Sequence, residues 1–206
     1  MEAWSKAFGK AYTDRNALSP GELDRLYNKN FGITRTDLNK EFLGNLSQGI
    51  KILEVGSNVG NQLLCLQKMG FKNLYGIEIN SYAVKCAKKR LKEINIIQGS
   101  VLDIPFKDSY FDLVFTSGVL IHIAPHDINL AMREMRRCAK KYIWGLEYYA
   151  DKYSEILYRG YRGLLWKANF AKLYLDLFDD LKLIKSRKLK YLDDSGNIDE
   201  MFLFKK

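Results

Sequence analysis

The sequence has no long apolar run and few cysteines. None of its 206 residues fall in a run of about 18 apolar residues, the length that a membrane-spanning helix requires. The first residues also lack the basic and then apolar pattern of a secretory signal. Cys65, Cys86 and Cys138 are odd in number and their spacing fits no metal site. Each lies in a segment with a helical pattern, so we expect buried, reduced thiols, no metal and a cytoplasmic location.

The sequence has an excess of positive charge, with 33 Lys and Arg residues against 24 Asp and Glu residues and a net charge of +9. Such a charge is compatible with a nucleic acid or an anionic small molecule as partner, and equally with a Lys-rich surface. Cations near the C-terminal ends of helices are favoured by the helix dipole, so we interpret the basic clusters as solvated faces. These clusters are Lys85, Lys88, Lys89, Arg90 and Lys92, and Arg133, Arg136, Arg137, Lys140 and Lys141.

No repeat, low-complexity tract or linker interrupts the chain, which predicts one domain over residues 1–206 with an N-terminal helical lid (1–48) and a core (49–206). Strand and helix patterns alternate, which favours right-handed βαβ units and a doubly wound sheet with helices on both faces. The turn-forming run from Asp193 to Asn197, which includes Asp194 and Ser195, predicts a closing antiparallel hairpin. The predicted strands are 50–55, 73–78, 94–98, 110–116, 142–147, 181–191 and 198–204, and the predicted helices are 20–30, 35–46, 61–69, 81–91 (capped by Ser81), 126–139 and 167–178.

A glycine-containing turn follows the first predicted strand. In Glu54-x-Gly56-x-x-x-Gly60 the chain passes from a strand through a turn into a helix, which brings backbone close to a ligand at the carboxyl edge of a sheet. Glu78 closes the second strand, where a carboxylate can accept hydrogen bonds from both hydroxyls of a ribose. The pair indicates an adenosine-containing cofactor, whereas the alternative is a tight turn and a solvated strand end.

Four segments resemble those of class I S-adenosylmethionine-dependent methyltransferases. Residues 52–60 are similar to the first motif of that family, 76–80 to the second, 98–106 to the segment that flanks the adenine, and 111–123 to the fourth strand and its loop. The resemblance covers nearly the whole chain. It implies a seven-stranded Rossmann-like sheet with an antiparallel last strand and S-adenosyl-L-methionine as cofactor. The implied cofactor-binding residues are Tyr12, Arg15, Glu54, Gly56, Ser57, Asn58, Gly60, Glu78, Ile79, Ser100, Val101, Leu102, Ser117 and Gly118.

Two positions depart from the general pattern of that family. Asn58 replaces the usual central glycine, and Asn adopts positive φ more readily than most residues. Ser100 stands where an acid is usual, and its hydroxyl is expected to reach the adenine together with the backbone of Val101 and Leu102. We interpret Asp103 as a turn residue.

A narrower resemblance explains these departures. Tyr12–Asn16, Gly118–Ile123, Glu147–Tyr149 and Tyr158–Gly160 are similar to segments of the methylases associated with pseudaminic acid biosynthesis. This resemblance implies a small anionic acceptor of the sugar type, related to a nonulosonic acid or a nucleotide sugar, and a role in glycan biosynthesis.

Methyl transfer to a hydroxyl or amine needs a base, and His122 follows the fourth strand at the expected active edge. Its ordinary pKa near 6.5 suits this role, and a capping residue in the loop is the alternative. His126 is interpreted as a surface residue. Glu147 is expected to orient His122 or to bind the acceptor. The remaining candidates are Tyr148 and Tyr149 as pocket walls beside Glu147, Tyr158 and Arg159 as substrate-binding residues with Arg159 holding an anion, and Trp4, Phe8, Tyr12 and Arg15 as a lid over the cofactor.

Three other functions remain as alternatives. Tyr148 and Lys152 have the spacing of the catalytic pair of short-chain NAD(P)-dependent oxidoreductases, although Gln62 stands where that family needs glycine. A nucleic-acid methyltransferase is suggested by the net charge, although the signature of amino-directed DNA enzymes is absent. A non-catalytic cofactor-binding protein is the third. The sequence leaves open which atom is methylated and the oligomeric state.

Overall fold

The strands belong to a seven-stranded sheet with the order β3-β2-β1-β4-β5-β9-β8, and β6 and β7 form a separate pair. A computed structural model of the chain describes residues 2–193 and 196–206. The strands are β1 (Lys51–Val55), β2 (Asn73–Glu78), β3 (Asn95–Gln98), β4 (Phe111–Ser117), β5 (Ala139–Tyr148), β6 (Ser154–Glu155), β7 (Trp166–Lys167), β8 (Lys182–Lys190) and β9 (Ile198–Lys205). The helices are α1 (Glu2–Ser5), α2 (Ala7–Arg15), α3 (Pro20–Phe31), α4 (Arg35–Leu43), α5 (Asn61–Lys68), α6 (Ser81–Arg90), α7 (Ile128–Cys138) and α8 (Phe170–Leu177).

The chain divides into two compact units, the first ending at Pro105 and the second spanning Phe106–Lys206. In the first unit, β2 pairs in parallel with both β1 and β3. β1 and β2 are mostly buried, as expected for parallel strands that are covered on both faces, whereas β3 is exposed at both ends. The helices α1–α6 belong to the same unit, and α5 and α6 connect its strands.

In the second unit, β4 and β5 are parallel, whereas β9 is antiparallel to both β5 and β8. Its core is aromatic. Phe115 packs on Trp144 with ring centroids 4.8 Å apart, and Tyr174 of α8 packs on Phe204 of β9 at 5.6 Å. A side chain at Gly145 would collide with the ring of Phe202, so glycine is required where β5 meets β9.

The architecture confirms the predicted fold, a mixed seven-stranded Rossmann-like sheet with helices around it and a last strand antiparallel to its neighbours. The hairpin of β8 and β9 is also confirmed, and the predicted turn residues Asp194 and Ser195 lie outside the described residues. β8 is exposed at the edge of the sheet, and its lysines oppose edge-to-edge pairing with other chains.

Several predicted boundaries were wrong. Asn80, and not Ser81, caps α6, because its side-chain oxygen accepts from the N–H groups of Tyr82 and Ala83. Residues 126–127 precede α7, and α8 begins only at Phe170 because Trp166–Lys167 is a strand. In contrast, the predicted start of α3 is confirmed by the reciprocal hydrogen bonds of Ser19 and Glu22.

The cysteines fit their predicted roles with one correction. Cys65 and Cys138 are buried, and burial raises the pKa of each thiol to about 11, which keeps both thiols protonated and unreactive. Cys86 is only half-buried, since it lies on a less protected face of α6.

Among residues 2–193 and 196–206, every helix is too short or too polar to cross a membrane.

Candidate functional site

The turn after β1 has a backbone shape that depends on its small residues. Gly56, Asn58 and Gly60 have φ values of 72°, 46° and 75°, the left-handed region that most side chains avoid. The N–H groups of Gly56 and Ser57 both donate to the carbonyl of Ile77 on β2, at 2.9 Å. The turn is therefore tied to the end of the neighbouring strand, which preorganises it for a ligand. Asn58 thus has a positive φ, which asparagine adopts more readily than most residues.

Glu78 is the central acidic group of the first unit. It is buried at the end of β2, and each carboxylate oxygen accepts one backbone N–H, from Asn58 at 2.9 Å and from Asn80 at 2.8 Å. Burial raises the pKa of Glu78, while the N–H groups of Asn80 and Asn58 lower it. An ionised carboxylate has about four lone-pair sites, so each oxygen retains capacity for a ligand hydroxyl.

Glu54 and Ser57 supply buried polar atoms beside the same turn. Oε2 of Glu54 and Oγ of Ser57 are buried and make no hydrogen bond within the described part of the chain. Burial raises the pKa of Glu54 well above its ordinary value, and the nearby charge of Arg35 opposes this rise. The Leu63 N–H also contacts the Glu54 carboxylate near the start of α5, whose N-cap, Gly60, has no side chain for that purpose. Buried polar atoms of this kind are what a polar ligand would satisfy.

Both asparagines that hold Glu78 also contact the N-terminal helices. The Thr13 hydroxyl of α2 lies 2.9 Å from the side-chain oxygen of Asn58. The Asn80 amide donates to the carbonyl of Trp4 at 2.8 Å. A side chain at Gly9 would collide with the Trp4 carbonyl and the Asn80 amide, so α2 packs very closely here. The N-terminal segment is therefore fixed to the two residues that position the carboxylate.

Of the predicted lid residues, the three aromatic ones pack together, whereas Arg15 is exposed. The ring of Trp4 makes edge contacts with Phe8 and Tyr12, at 5.0 and 5.4 Å between centroids, as their spacing of four residues predicted. Arg15 is exposed at the end of α2. Its role in cofactor binding stays a prediction.

The segment that was predicted to flank the adenine forms a tight turn after β3. The Ser100 hydroxyl accepts the N–H of Leu102 at 3.1 Å, and the Asp103 N–H lies 3.3 Å from the Ser100 carbonyl. Asp103 is exposed, in agreement with its interpretation as a turn residue. Val101 is buried, and the carbonyl of Ile79 accepts the Gln98 amide at 3.1 Å. The ends of β2 and β3 are linked in this way.

In the second unit, Glu147 holds the loop that follows β4. Its carboxylate accepts the N–H of Val119 at 3.0 Å and that of Ile121 at 3.4 Å. Gly118, with φ of 67°, follows Ser117 at the end of β4 and donates to the carbonyl of Leu146 at 2.8 Å. Burial raises the pKa of Glu147 to about 7, and the backbone N–H groups lower it. These bonds give Glu147 a role in shaping the loop, which differs from the expected role of orienting His122.

The imidazole of His122 is oriented by a backbone carbonyl. Nδ1 lies 2.7 Å from the carbonyl oxygen of Leu164. A carbonyl can only accept, so the neutral ring carries its proton on Nδ1 and has Nε2 as its acceptor nitrogen. Burial lowers the pKa of His122 to about 4, and the bond to Leu164 opposes this. The ring is therefore neutral at pH 7 and can accept a proton, but with a pKa of about 4 it is a weaker base than the ordinary imidazole that the prediction assumed.

A cavity of about 270 Å³ lies in the second unit. Tyr148, at the end of β5, lines it, and so does Tyr158, whose ring lies 5.7 Å from that of His122. Lys167 and Asp199 bring opposite charges to its wall. The other lining residues are Ile156, Leu165, Tyr191, Asn197 and Ile198.

Two predicted substrate-binding residues lie outside this lining. Arg159 is exposed at a tight turn, with φ of 52°, between the paired residues Tyr158 and Tyr161. Tyr149 donates to Asp151, and the Lys188 ammonium lies 3.6 Å from the centre of its ring. His126 has an exposed side chain beside Asp127, as predicted.

The residues that the sequence analysis missed are those brought together by long-range pairing. Tyr153 donates to the Ile123 carbonyl at 2.8 Å and thereby fixes the loop after His122. Thr13, Lys167 and Asp199 were also missed as site residues, since no local pattern marks them. One signal could have pointed to Asp199. It is an acidic residue near the start of the last predicted strand, and that strand places it opposite Tyr148.

The helical pair of short-chain oxidoreductases is absent from the described residues. Tyr148 ends a strand and Lys152 lies in an exposed bend, so the two do not share a helical face as that family requires. This finding contradicts the oxidoreductase alternative.

Part of the chain matches a known domain family and known proteins. Residues 53–142 match the methyltransferase domain family. The sterol methyltransferase-like protein 3 of Botryococcus braunii is 30% identical over 86 residues, which are 39% of this chain and 22% of that protein. The chain thus spans less than a quarter of the length of this curated relative.

Two solved structures share the fold. The PH0226 protein of Pyrococcus horikoshii has a TM-score of 0.70 at 17% identity, and the match covers 100% of this chain and 98% of that one. A SAM-dependent methyltransferase of Methanosarcina mazei has a TM-score of 0.64 at 18% identity, over 79% of this chain and 95% of that one. The fold of the chain is therefore that of SAM-dependent methyltransferases.

Proposed function

We propose that this chain is a SAM-dependent methyltransferase and that it methylates a small anionic acceptor of the sugar type. The observation that carries the proposal is the buried Glu78 carboxylate, held by the N–H groups of Asn58 and Asn80 next to a turn with positive φ values. This arrangement suits an adenosine ribose, whose two hydroxyls donate to one carboxylate.

The residues of the first unit fit S-adenosyl-L-methionine. When it is bound, this cofactor supplies an electrophilic methyl group on a sulfonium. Glu78 would hold the ribose, the Gly56 turn would approach the cofactor with backbone only, and the segment from Ser100 to Leu102 would flank the adenine. Glu54 and Ser57 have buried oxygens that can accept hydrogen bonds from its polar groups. Ile79 completes the proposed set in this unit, and Ser117 and Gly118 of the second unit stay predictions from the family resemblance.

The N-terminal helices act as the lid of this site. Thr13 and Trp4 contact the two asparagines that position Glu78, so movement of the lid would disturb the carboxylate. Tyr12 and Arg15 lie on the same helix as Thr13, which supports their proposed approach to the cofactor. A lid of this kind would exclude water from the reacting groups.

His122 is the proposed base. Its Nε2 would take the proton from the attacking hydroxyl or amine of the acceptor, while the carbonyl of Leu164 holds the ring. Glu147 serves catalysis by shaping the loop that carries His122. Tyr148 and Tyr158 would contact the acceptor, and Tyr149 and Arg159 stay predictions from the narrower resemblance.

The sugar-type acceptor is supported by that narrower resemblance, which favours a nonulosonic acid or a nucleotide sugar and a cytoplasmic role in glycan biosynthesis. A nucleic-acid substrate is the alternative. Against it, several of the clustered cations are already engaged: Arg136 pairs with Asp180, Arg137 with Glu134 and Asp108, and Arg90 bonds to Asn61.

Two measurements test the proposal. Calorimetric titration with S-adenosylhomocysteine should show binding, and absence of binding would refute the assigned cofactor. Single-turnover transfer of labelled methyl groups to N-acetylneuraminate should then fall about 10²–10⁴-fold in His122→Ala, the range for loss of a general base. His126→Ala is the matched control, because that imidazole is exposed. An unchanged rate in His122→Ala would exclude His122 as the base, and product with the wild type would exclude a non-catalytic role.

A further inference from the structure

The cavity of the second unit is enclosed by three stretches of chain that are far apart in sequence. Tyr148 comes from the end of β5, four residues between Ile156 and Lys167 form one wall, and Tyr191, Asn197, Ile198 and Asp199 form the other. Backbone bonds fix these walls: the Ala168 N–H donates to the Tyr148 carbonyl at 3.4 Å, and the Tyr149 N–H donates to the Ile198 carbonyl at 2.8 Å. The shape of the cavity is therefore fixed by backbone hydrogen bonds between distant parts of the second unit.

Its polar groups carry opposite charges. The Lys167 ammonium donates to the side-chain oxygen of Asn197 and lies 5.9 Å from the centre of the Tyr148 ring. Asp199 is directly opposite Tyr148 in the antiparallel pair of β5 and β9, so their side chains lie on the same face. An ammonium suits a ligand carboxylate, and an aspartate accepts hydrogen bonds from hydroxyls or amines.

The apolar part of the lining is aromatic. Tyr148, Tyr158 and Tyr191 offer flat faces with phenolic hydroxyls at their edges, which can pack against a ring and bond to its substituents. A volume of about 270 Å³ lies at the small end of the range of about 300–1,000 Å³ for ligand pockets. The cavity thus matches a single substituted ring better than a nucleotide-linked one.

The cavity is connected to the proposed base. Leu164, whose carbonyl orients His122, is adjacent to the lining residue Leu165, and the ring of Tyr158 contacts both the cavity and the ring of His122. A ligand in the cavity would therefore be next to the residues that hold the imidazole.

We propose that this cavity is the acceptor site and that it binds a carboxylate-bearing, hydroxyl-rich ring, with Lys167 contacting the carboxylate and Asp199 the hydroxyls. The proposal rests on the proposed function. It assigns anion recognition to Lys167, whereas the sequence analysis assigned it to Arg159, which is exposed on a turn outside the lining.

The test is calorimetric titration of the full chain, saturated with S-adenosylhomocysteine, using N-acetylneuraminate and its neutral methyl ester as probes. The acid should bind roughly tenfold or more tightly than the ester, because the carboxylate contacts an ammonium. Lys167→Met should remove this preference and Lys167→Arg should restore part of it. Lys182→Met, on the exposed edge strand, is the matched control, and Arg159→Met examines the competing assignment.

The outcomes decide whether Lys167 or Arg159 recognises the carboxylate. Retention of the acid preference in Lys167→Met, its loss in Arg159→Met, or absence of binding of either probe would overturn the proposal. Titration with S-adenosylhomocysteine alone separates this failure from failure of the proposed function. If the chain binds S-adenosylhomocysteine and Lys167→Met still prefers the acid to the ester, only the assignment of the acceptor site is refuted.

Discussion

The candidate cofactor turn and the candidate acceptor cavity are built in different ways. The turn follows one strand, and its key residues are Gly56, Asn58 and Glu78, all close in sequence to strand ends of the first unit. The cavity draws its lining from stretches between Tyr148 and Asp199 that no short motif contains. The first is held by backbone hydrogen bonds to the carboxylate, and the second by long-range pairing of strands. The proposed cofactor site thus depends on local sequence, whereas the proposed acceptor site depends on tertiary structure.

The largest expected effect that separates the two regions comes from Glu78→Gln. Loss of the charge removes charge-assisted hydrogen bonds, each worth about 1.5–3 kcal/mol, so affinity for S-adenosylhomocysteine should fall about 10–150-fold. Calorimetric titration measures this affinity. Glu93→Gln, at an exposed position after α6, is the control. An affinity within twofold of the wild type would contradict the role of Glu78.

A smaller effect is expected when the lid is loosened. Thr13→Val keeps the shape of a buried side chain but removes the hydroxyl that contacts the Asn58 side-chain oxygen and the Gly9 carbonyl, which should weaken binding of S-adenosylhomocysteine about 2–10-fold. Tyr82→Phe removes the exposed contact with Asp14 and should change binding less than twofold. If both variants bind equally well, the lid does not act through Asn58.

A further expected effect concerns stability and not affinity, and it is a pH dependence in the second unit. Burial raises the folded-state pKa of Glu147 to about 7, above the ordinary value of 4.5. The contribution of this group to stability is therefore complete below about pH 4.5 and is lost as the pH rises through 7. Urea unfolding at pH 5 and pH 8 should show a larger loss of stability for the wild type than for Glu147→Gln.

His122 contributes in the opposite direction in this experiment. Its folded-state pKa of about 4 lies below the ordinary value of 6.5, so its contribution is present above about pH 6.5 and is lost as the pH falls towards 4. Both proteins share this contribution, and the difference between them isolates Glu147. Glu155→Gln, at an exposed position, should follow the wild type. Parallel pH profiles of Glu147→Gln and the wild type would show that Glu147 does not titrate in this range.

The strands that the sequence predicted well are those with strong apolar runs. β2 has the predicted bounds, and β1, β3 and β4 differ by one residue at one or both ends. β6 and β7 were missed because a two-residue strand has no periodicity and forms only through its partner. The same reason explains the late start of α8, since its predicted first residue, Lys167, belongs to β7.

The residues of the candidate site also differ in whether they could be predicted from the sequence. Glu78 and the Gly56 turn could be predicted because their chemistry depends on a strand end and on local backbone shape. Lys167 could not, because its position in the cavity depends on the pairing of β6 with β7 and of β5 with β9. Arg159 was the anion-binding residue predicted from the sequence, and its turn leaves it exposed.

The sequence by itself determined the order along the chain of the seven strands of the large sheet and the helices between them, the glycine-containing turn and the acidic residue that ends β2. Hydrophobic periodicity and the small size of glycine act over a few residues, so these features can be recognised without a structure. Tertiary structure decided that Asn58 and Asn80 join the N-terminal helices to Glu78, that the Leu164 carbonyl orients His122, and which lysine lines the cavity. Those contacts link residues from 42 to 76 positions apart where hydrogen bonds define them, and only the folded chain brings such residues together.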